Sequence, residues 1–75
     1  MALEVIKLLP YQLPDGLREV RRARELTQTE LAGLVQMSHS TISDFEHGRR
    51  TPSVRTLLRL ADALGVTPND LLLIQ

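Results

Sequence analysis

The sequence predicts an all-α domain of five helices, and three observations predict it. From residue 14 onward apolar side chains recur at three- and four-residue spacing, and no strand alternation is clear. Cap-forming residues precede most of these apolar stretches, and Gly48 and Gly65 stand where two of them stop. Finally, 75 residues with 43% hydrophobic and 24% charged content suit one folded domain with a small core, not a disordered chain.

Residues 1–13 form an apolar leader closed by Pro10 and Pro14. Asp15 can cap a first helix over about 16–25, with Leu17, Val20 and Ala23 or Arg24 facing inward. Thr27 opens the second helix. Glu30 stands at its third position, so TQTE reads as a reciprocal capping box, followed by an apolar stripe of Leu31, Ala32, Leu34 and Val35. A four-residue turn leads to Ser38, which can cap a third helix reaching about His47, with Gly48 just beyond it. Pro52 and Ser53 start a fourth helix, where Val54, Leu57, Leu58, Leu60, Ala61 and Leu64 recur at helical spacing until Gly65. Thr67 followed by Pro68 opens a short fifth helix, NDLLLI.

Composition excludes several classes. The chain has no cysteine, which removes disulfides and thiolate metal sites and fits a reducing, cytoplasmic setting. The start, MALEVIKLLPYQLP, carries Glu4 and Lys7 inside its apolar run and does not read as a signal peptide. The longest unbroken apolar run, LLLI, is far too short to span a membrane. Nine basic and nine acidic residues cancel, so any basic footprint must be local. Two clusters qualify: Arg18, Arg21, Arg22 and Arg24, and then Arg49 and Arg50.

The stretch MSHSTISDFEHGRR carries the functional signal. At about 100° per residue, Ile42 and Phe45 share the inner side of the third helix, flanked by Thr41 and Glu46. Ser40, Ser43, Asp44 and His47 lie opposite, with His39 at the edge near the N-terminus. The outward face is therefore made of short donors and acceptors. Two helices joined by a tight turn, the second with such a face, define a helix-turn-helix. Ala32 is small enough to let the two helices approach, and Leu31 and Val35 can meet Ile42 and Phe45 in the angle between them. An α-helix fits the major groove of B-DNA, where residues near its N-terminus reach base edges.

The stretch LREVRRARELTQTELAGLVQMSHSTISDFEHGRRTPSVRTLLRLADALGVTPNDLL resembles the phage-repressor and Cro type of helix-turn-helix domain, the XRE family. The likeness covers about residues 16–72. It rests on LTQxELA, then S-x-x-x-I-S-x-x-E-x-G-x-R-x-P-S, then LxxLAxALGV. It implies a lambda-repressor-like fold with the helix-turn-helix at helices two and three, double-stranded DNA as partner, and no cofactor or metal. By the same resemblance His39, Ser40, Ser43 and Asp44 match base-contacting positions. Thr27, Gln28, His47, Arg49, Arg50 and Thr51 match phosphate-contacting ones, Gln28 also buttressing the recognition helix. Arg21 and Glu46 match a buried ion pair that ties the first helix to the end of the third.

The chemistry agrees in part. Serine donates or accepts toward several bases, and His39 can donate to guanine or phosphate. Asp44 accepts only, which suits a cytosine amino group but repels phosphate. The chain departs from the family pattern in three ways. Gln36 stands where the family often has glycine, the residue that permits positive φ. Asp44 replaces what is frequently a basic or amide residue. The neutral overall charge predicts modest non-specific affinity.

The expected protein is a transcriptional regulator, a repressor in the first instance, acting as a homodimer on a two-fold operator. The leader LEVIKLL is a candidate dimerisation arm, and LLLIQ a second candidate surface, with Leu71 and Leu72 expected to close the monomer core. An antitoxin with a toxin partner, or a restriction–modification controller protein, shares this fold and length. No linker-like tail follows Ile74, which fits a complete chain or a trimmed domain equally. Catalysis is disfavoured. His39 and His47 are eight residues apart on one helix, about 12 Å along its axis, too far to share a metal, and no serine–histidine–acid set or phosphate-cradling glycine loop can be assembled.

Overall fold

The cap chemistry determines where most of the helices begin and end. A computed structural model describes the backbone of residues 2–72 and the side chains of residues 13–72. It contains α1 (Ala2–Ala23), α2 (Gln28–Val35), α3 (His39–Glu46), α4 (Val54–Leu64) and α5 (Pro68–Leu71), and no strand among the described residues. Thr27 Oγ1 accepts from the Glu30 N–H at 3.0 Å and Glu30 Oε1 accepts from the Thr27 N–H at 2.9 Å, closing the capping box that starts α2. Ser38 accepts from the Thr41 N–H to start α3, and Ser53 from the Thr56 N–H to start α4. Thr67 and Asp70 form a second capping box around Pro68. Gly65, at φ +70°, ends α4 and lets the Val66 N–H reach back to the Ala61 carbonyl at 3.0 Å.

The first helix differs from its sequence reading. It does not start at an Asp15 cap: α1 runs from Ala2 through both Pro10 and Pro14, and it ends at Ala23 rather than near Glu25. The expected division at residue 13 therefore falls inside a helix. An interior proline costs a helix about 3 kcal/mol. Leu13, counted with the leader from sequence, is buried in the core one turn before the fully buried Leu17. Burying a leucine contributes about 1.5–3 kcal/mol, the same order as the proline penalty. Packing at Leu13 thus opposes the break that the adjacent Pro14 signals locally. Asp15 instead faces outward and pairs with Arg18 at 3.4 Å. Ala23 and Arg24 are both exposed rather than inward, and the chain leaves α1 with Glu25 at φ +58°.

The core joins Leu13 and Leu17 of α1, Leu31, Ala32 and Val35 of α2, Ile42 and Phe45 of α3, Leu60, Ala61 and Leu64 of α4, and Leu71 of α5. Helix α1 packs on α3 and α5, α2 on α3 and α4, and α4 on α5. Leu72 packs partly against this core; Ile74 and the rest of 73–75 lie outside the described residues. Leu34 is a correction to the expected α2 stripe. It is 57% exposed, because at about 100° per residue it lies roughly 100° from the centre of the Leu31, Ala32 and Val35 arc. Val54 and Leu58 of α4 are likewise exposed, at 74% and 52%.

One glycine is fixed by packing. A Cβ built on Gly16 would overlap the carbonyl oxygen of Leu71 and stand 2.6 Å from its carbonyl carbon, so α1 and α5 touch backbone to backbone there. Gly33, on α2, would place a Cβ in open space. The two positions predict opposite outcomes in thermal melts. Gly16→Ala should lose about 3 kcal/mol, since neither backbone can yield without shifting a helix. Gly33→Ala should gain about 0.5–1 kcal/mol from helix propensity alone, raising Tm by a few degrees.

Candidate nucleic-acid interface

Helix α3 is held at one end and free at the other. Its inner side chains, Ile42 and Phe45, are buried against the core. Its last residue, Glu46, is only 1% exposed and carries a full set of partners. Arg21 of α1 donates to it through Nε at 2.6 Å and Nη2 at 2.9 Å, a bidentate pair, and Gln28 of α2 donates through Nε2 at 3.1 Å. Arg18 donates to the Glu46 backbone carbonyl at 2.8 Å, placing a cation at the negative end of the helix. Arg21 also reaches the Leu26 carbonyl at 2.7 Å, fixing the turn before α2. Among the described residues no buried side-chain polar atom lacks a partner.

Burial opposes ionisation of Glu46, but the hydrogen bonds from Arg21 and Gln28, with the fields of Arg21 and Arg18, outweigh it and hold the carboxyl below its usual range. The hydrogen bond to Glu46 pushes the Arg21 guanidinium further up, against burial, so it stays charged at every accessible pH.

The connection from α2 to α3 is residues 36–38, one residue tighter than the four-residue turn read from sequence. Gln36 adopts φ +58°, ψ +45°, and its neighbour Met37 donates back to the Ala32 carbonyl at 2.9 Å. The left-handed position exists, and a glutamine fills it where glycine would be unstrained.

With its C-terminal end pinned, α3 turns its N-terminal end and outer side away from the core. His39 and Ser40 are exposed, and Ser40 Oγ lies 3.2 Å from Ser38 Oγ. Ser43 and Asp44 are half-buried, in part under Arg49. The His47 ring donates through Nδ1 to the Ser43 carbonyl at 2.8 Å, which leaves Nε2 directed elsewhere. Thr27, Arg50 and Thr51 are exposed at the two margins. Gln28 makes its described hydrogen bond to Glu46, the buttress, from a half-buried position.

Four arginines are engaged by the fold itself. Besides Arg18 and Arg21, Arg24 donates to the Leu64 carbonyl at 2.8 Å and Arg59 to the Val35 carbonyl, closing the ends of α4 and α2. Sequence reading grouped Arg18, Arg21, Arg22 and Arg24 as one basic cluster. Three of the four are tied to carbonyls or to Glu46, so the cluster is mainly structural. Arg59 stands at the middle of α4, and no local signal in the sequence marks it, because its partner Val35 lies 24 residues away. Among the described residues no group of three or more histidine or acidic side chains could hold a metal ion, and no helix is long and apolar enough to cross a membrane.

Two stacked helices, a three-residue turn and an exposed polar face on the second define a helix-turn-helix domain of the DNA-binding, transcription-regulating type. A family model described as Helix-turn-helix, HTH_3, matches residues 17–71, and the chain belongs to that XRE-type family. It is a family of DNA-binding regulators rather than an enzyme family. The chain is 44% identical over 61 residues to the HTH-type transcriptional regulator DdrOP3 of Deinococcus deserti, covering 81% of this chain and 47% of that protein. It is 40% identical over 50 residues to the immunity repressor protein of Bacillus phage phi105, covering 67% of this chain and 35% of that one. The chain thus spans about half the length of such relatives, or less. Among solved structures, the restriction-modification controller protein C.AhdI from Aeromonas hydrophila superposes with a TM-score of 0.76 at 35% identity, covering 88% of this chain and 97% of that one.

The Glu46 site generates a stability prediction with a defined sign. A depressed folded-state pKa contributes stability above the ordinary carboxylate value, near about pH 4.3, and that stability is lost as pH falls through the folded value. Thermal melts between pH 7 and pH 3 should show an acid-side loss in the wild type that Glu46→Gln flattens. At pH 7 Glu46→Ala should cost about 3–5 kcal/mol, because it strands the Arg21 charge in a buried site. A Tm within two degrees of wild type would remove the pair from its structural role.

Proposed function

We propose that this domain binds duplex DNA by setting α3 into the major groove, and that it represses transcription as a two-fold dimer. The observation that carries the reading is the construction of α3: pinned at Glu46 and by Ile42 and Phe45, with its N-terminal end and hydroxyl-rich face outward. His39, Ser40 and Asp44 then face base edges, with Ser43 beside them. Thr27, Gln28, His47, Arg50 and Thr51 flank that face as candidate phosphate contacts, Gln28 using what capacity its bond to Glu46 leaves, and Arg49 lies along the outer side of α3 itself. Because four arginines serve the fold, few cations are left for phosphate, and the salt dependence of binding is expected to be shallow for a DNA-binding domain. A DNA ligand fits the cytoplasmic setting expected from the absence of cysteine.

The likeness to a phage immunity repressor supports repression, and one short reading helix per copy supports pairing. A second reading, a restriction–modification controller, is favoured by the match to C.AhdI over nearly its whole length. The neighbouring gene separates them: a restriction enzyme in one case, phage or operon genes in the other. The toxin-binding alternative would require a toxin gene beside it.

Footprinting on DNA upstream of the protein's own gene tests the core claim. Protection should appear as two half-sites about one helical turn apart. Ser40→Ala should weaken binding about 3- to 10-fold at the preferred site, the loss of one hydrogen bond, with little effect on random duplex. Unchanged protection in that variant, or none by the wild type, would remove the reading face. Sedimentation velocity addresses the pairing separately. Deleting residues 1–9 should shift a dimer toward monomer where the leader is the arm, and an unchanged dimer would assign the contact elsewhere.

A further inference from the structure

The acid on the reading face is not alone. Beyond α3, Gly48 at φ +73° turns the chain back on itself, and the Arg49 N–H bonds the Asp44 carbonyl at 2.9 Å. The return lays the Arg49 side chain along the outer side of α3. Its Nε donates to Asp44 Oδ1 at 2.8 Å, and its Nη2 to Ser43 Oγ at 3.3 Å. The Asp44 side chain keeps 30% of its surface exposed and Arg49 keeps 58%.

A guanidinium carries five N–H donors in a rigid fork. Asp44 and Ser43 engage one at Nε and one at Nη2, so both Nη1 hydrogens and the second Nη2 hydrogen remain. Those at the outer end of the fork match the O6 and N7 acceptors of guanine, the pairing that planar bidentate geometry favours. Solvent-exposed ion pairs add little to stability, so the pair has no evident structural purpose. It has an electrostatic one. A bare carboxylate on a face that meets a phosphate lattice is repelled, and sending Arg49 to a phosphate would bare Asp44 again. Keeping the pair intact in the groove avoids both costs.

We propose that Arg49 reads a guanine in the DNA and that Asp44 is a positioning residue, holding the Arg49 fork toward one G·C pair instead of reading cytosine itself. The assignment rests on the groove-binding reading above. It also explains how an acid is tolerated at a position the family often fills with a basic or amide residue.

The test is a selection of preferred sites from a random duplex library with the wild-type chain. Fluorescence anisotropy then follows on the best site and on duplexes altered one pair at a time, for wild type, Arg49→Lys, Arg49→Ala, Asp44→Asn and the double variant Asp44→Asn/Arg49→Ala. At one G·C pair the wild type should discriminate about 10- to 100-fold, as bidentate contacts do. Arg49→Lys and Asp44→Asn should both reduce that to a few-fold while preserving the other positions, and the double variant should lose no more than Arg49→Ala. Tm should stay within a degree or two for all of them, since both side chains are partly solvated. Equal weakening of every sequence by Arg49→Ala, with a salt slope lower by about one, would make Arg49 a phosphate contact and overturn the proposal. A preference lost in Asp44→Asn but kept in both Arg49 variants would make Asp44 a direct reader and overturn it too. Failure of the wild type to enrich any sequence would instead remove the groove-binding reading, and this assignment with it.

Discussion

The rest of the molecule depends on the carboxylate of Glu46. It receives Arg21 from α1 and Gln28 from α2, while its own backbone carbonyl receives Arg18. Three helices therefore meet at one buried acid, and the angle of α3 against the core follows from it. A short helix of eight residues has too little apolar surface to fix its own orientation. Ile42 and Phe45 bury it, but two side chains leave rotation about the helix axis soft. The directional hydrogen bonds at Glu46 supply the missing constraint, and they act at the end of α3 opposite His39 and Ser40.

The same economy governs the positive charge. A neutral chain with nine cations invites the reading that those cations are a surface resource. Four are spent inside the fold, on the carbonyls that helices α2, α3 and α4 leave open at their C-terminal ends and on Glu46. Arg18, Arg24 and Arg59 each satisfy an orphan carbonyl and sit favourably at the negative end of a helix dipole, while Arg21 serves Glu46 and the turn at Leu26. In a domain this small, side chains that cap neighbouring helices across the core replace part of the apolar area that a larger protein would bury. Arg49 and Arg50, which follow the turn at Gly48, are outside that set.

Local chemistry made much of this legible. TQTE, Ser38, Ser53 and Thr67-Pro68 mark helix starts because a cap bonds within three residues of itself, a distance the sequence shows directly. The outward set on α3 was legible for the same reason, since a helical wheel needs no tertiary information. The left-handed Gln36 was visible only against the pattern of the XRE family, as was the partnership of Arg21 with Glu46, residues 25 apart in the chain.

The sequence by itself determined the helix-turn-helix and the composition of the face it presents, because caps, periodicity and turn residues act over three or four positions. Only the tertiary structure decided that α1 passes through Pro14 instead of starting after it, since burial of Leu13 and Leu17 competes with a proline whose local effect points the other way. It alone decided that Gly16 must be glycine, because the contact is with Leu71 at the far end of the domain. And it alone joined Asp44 to Arg49: their spacing of five is not that of helix-face neighbours, and a reversal of the backbone at Gly48 brings them together.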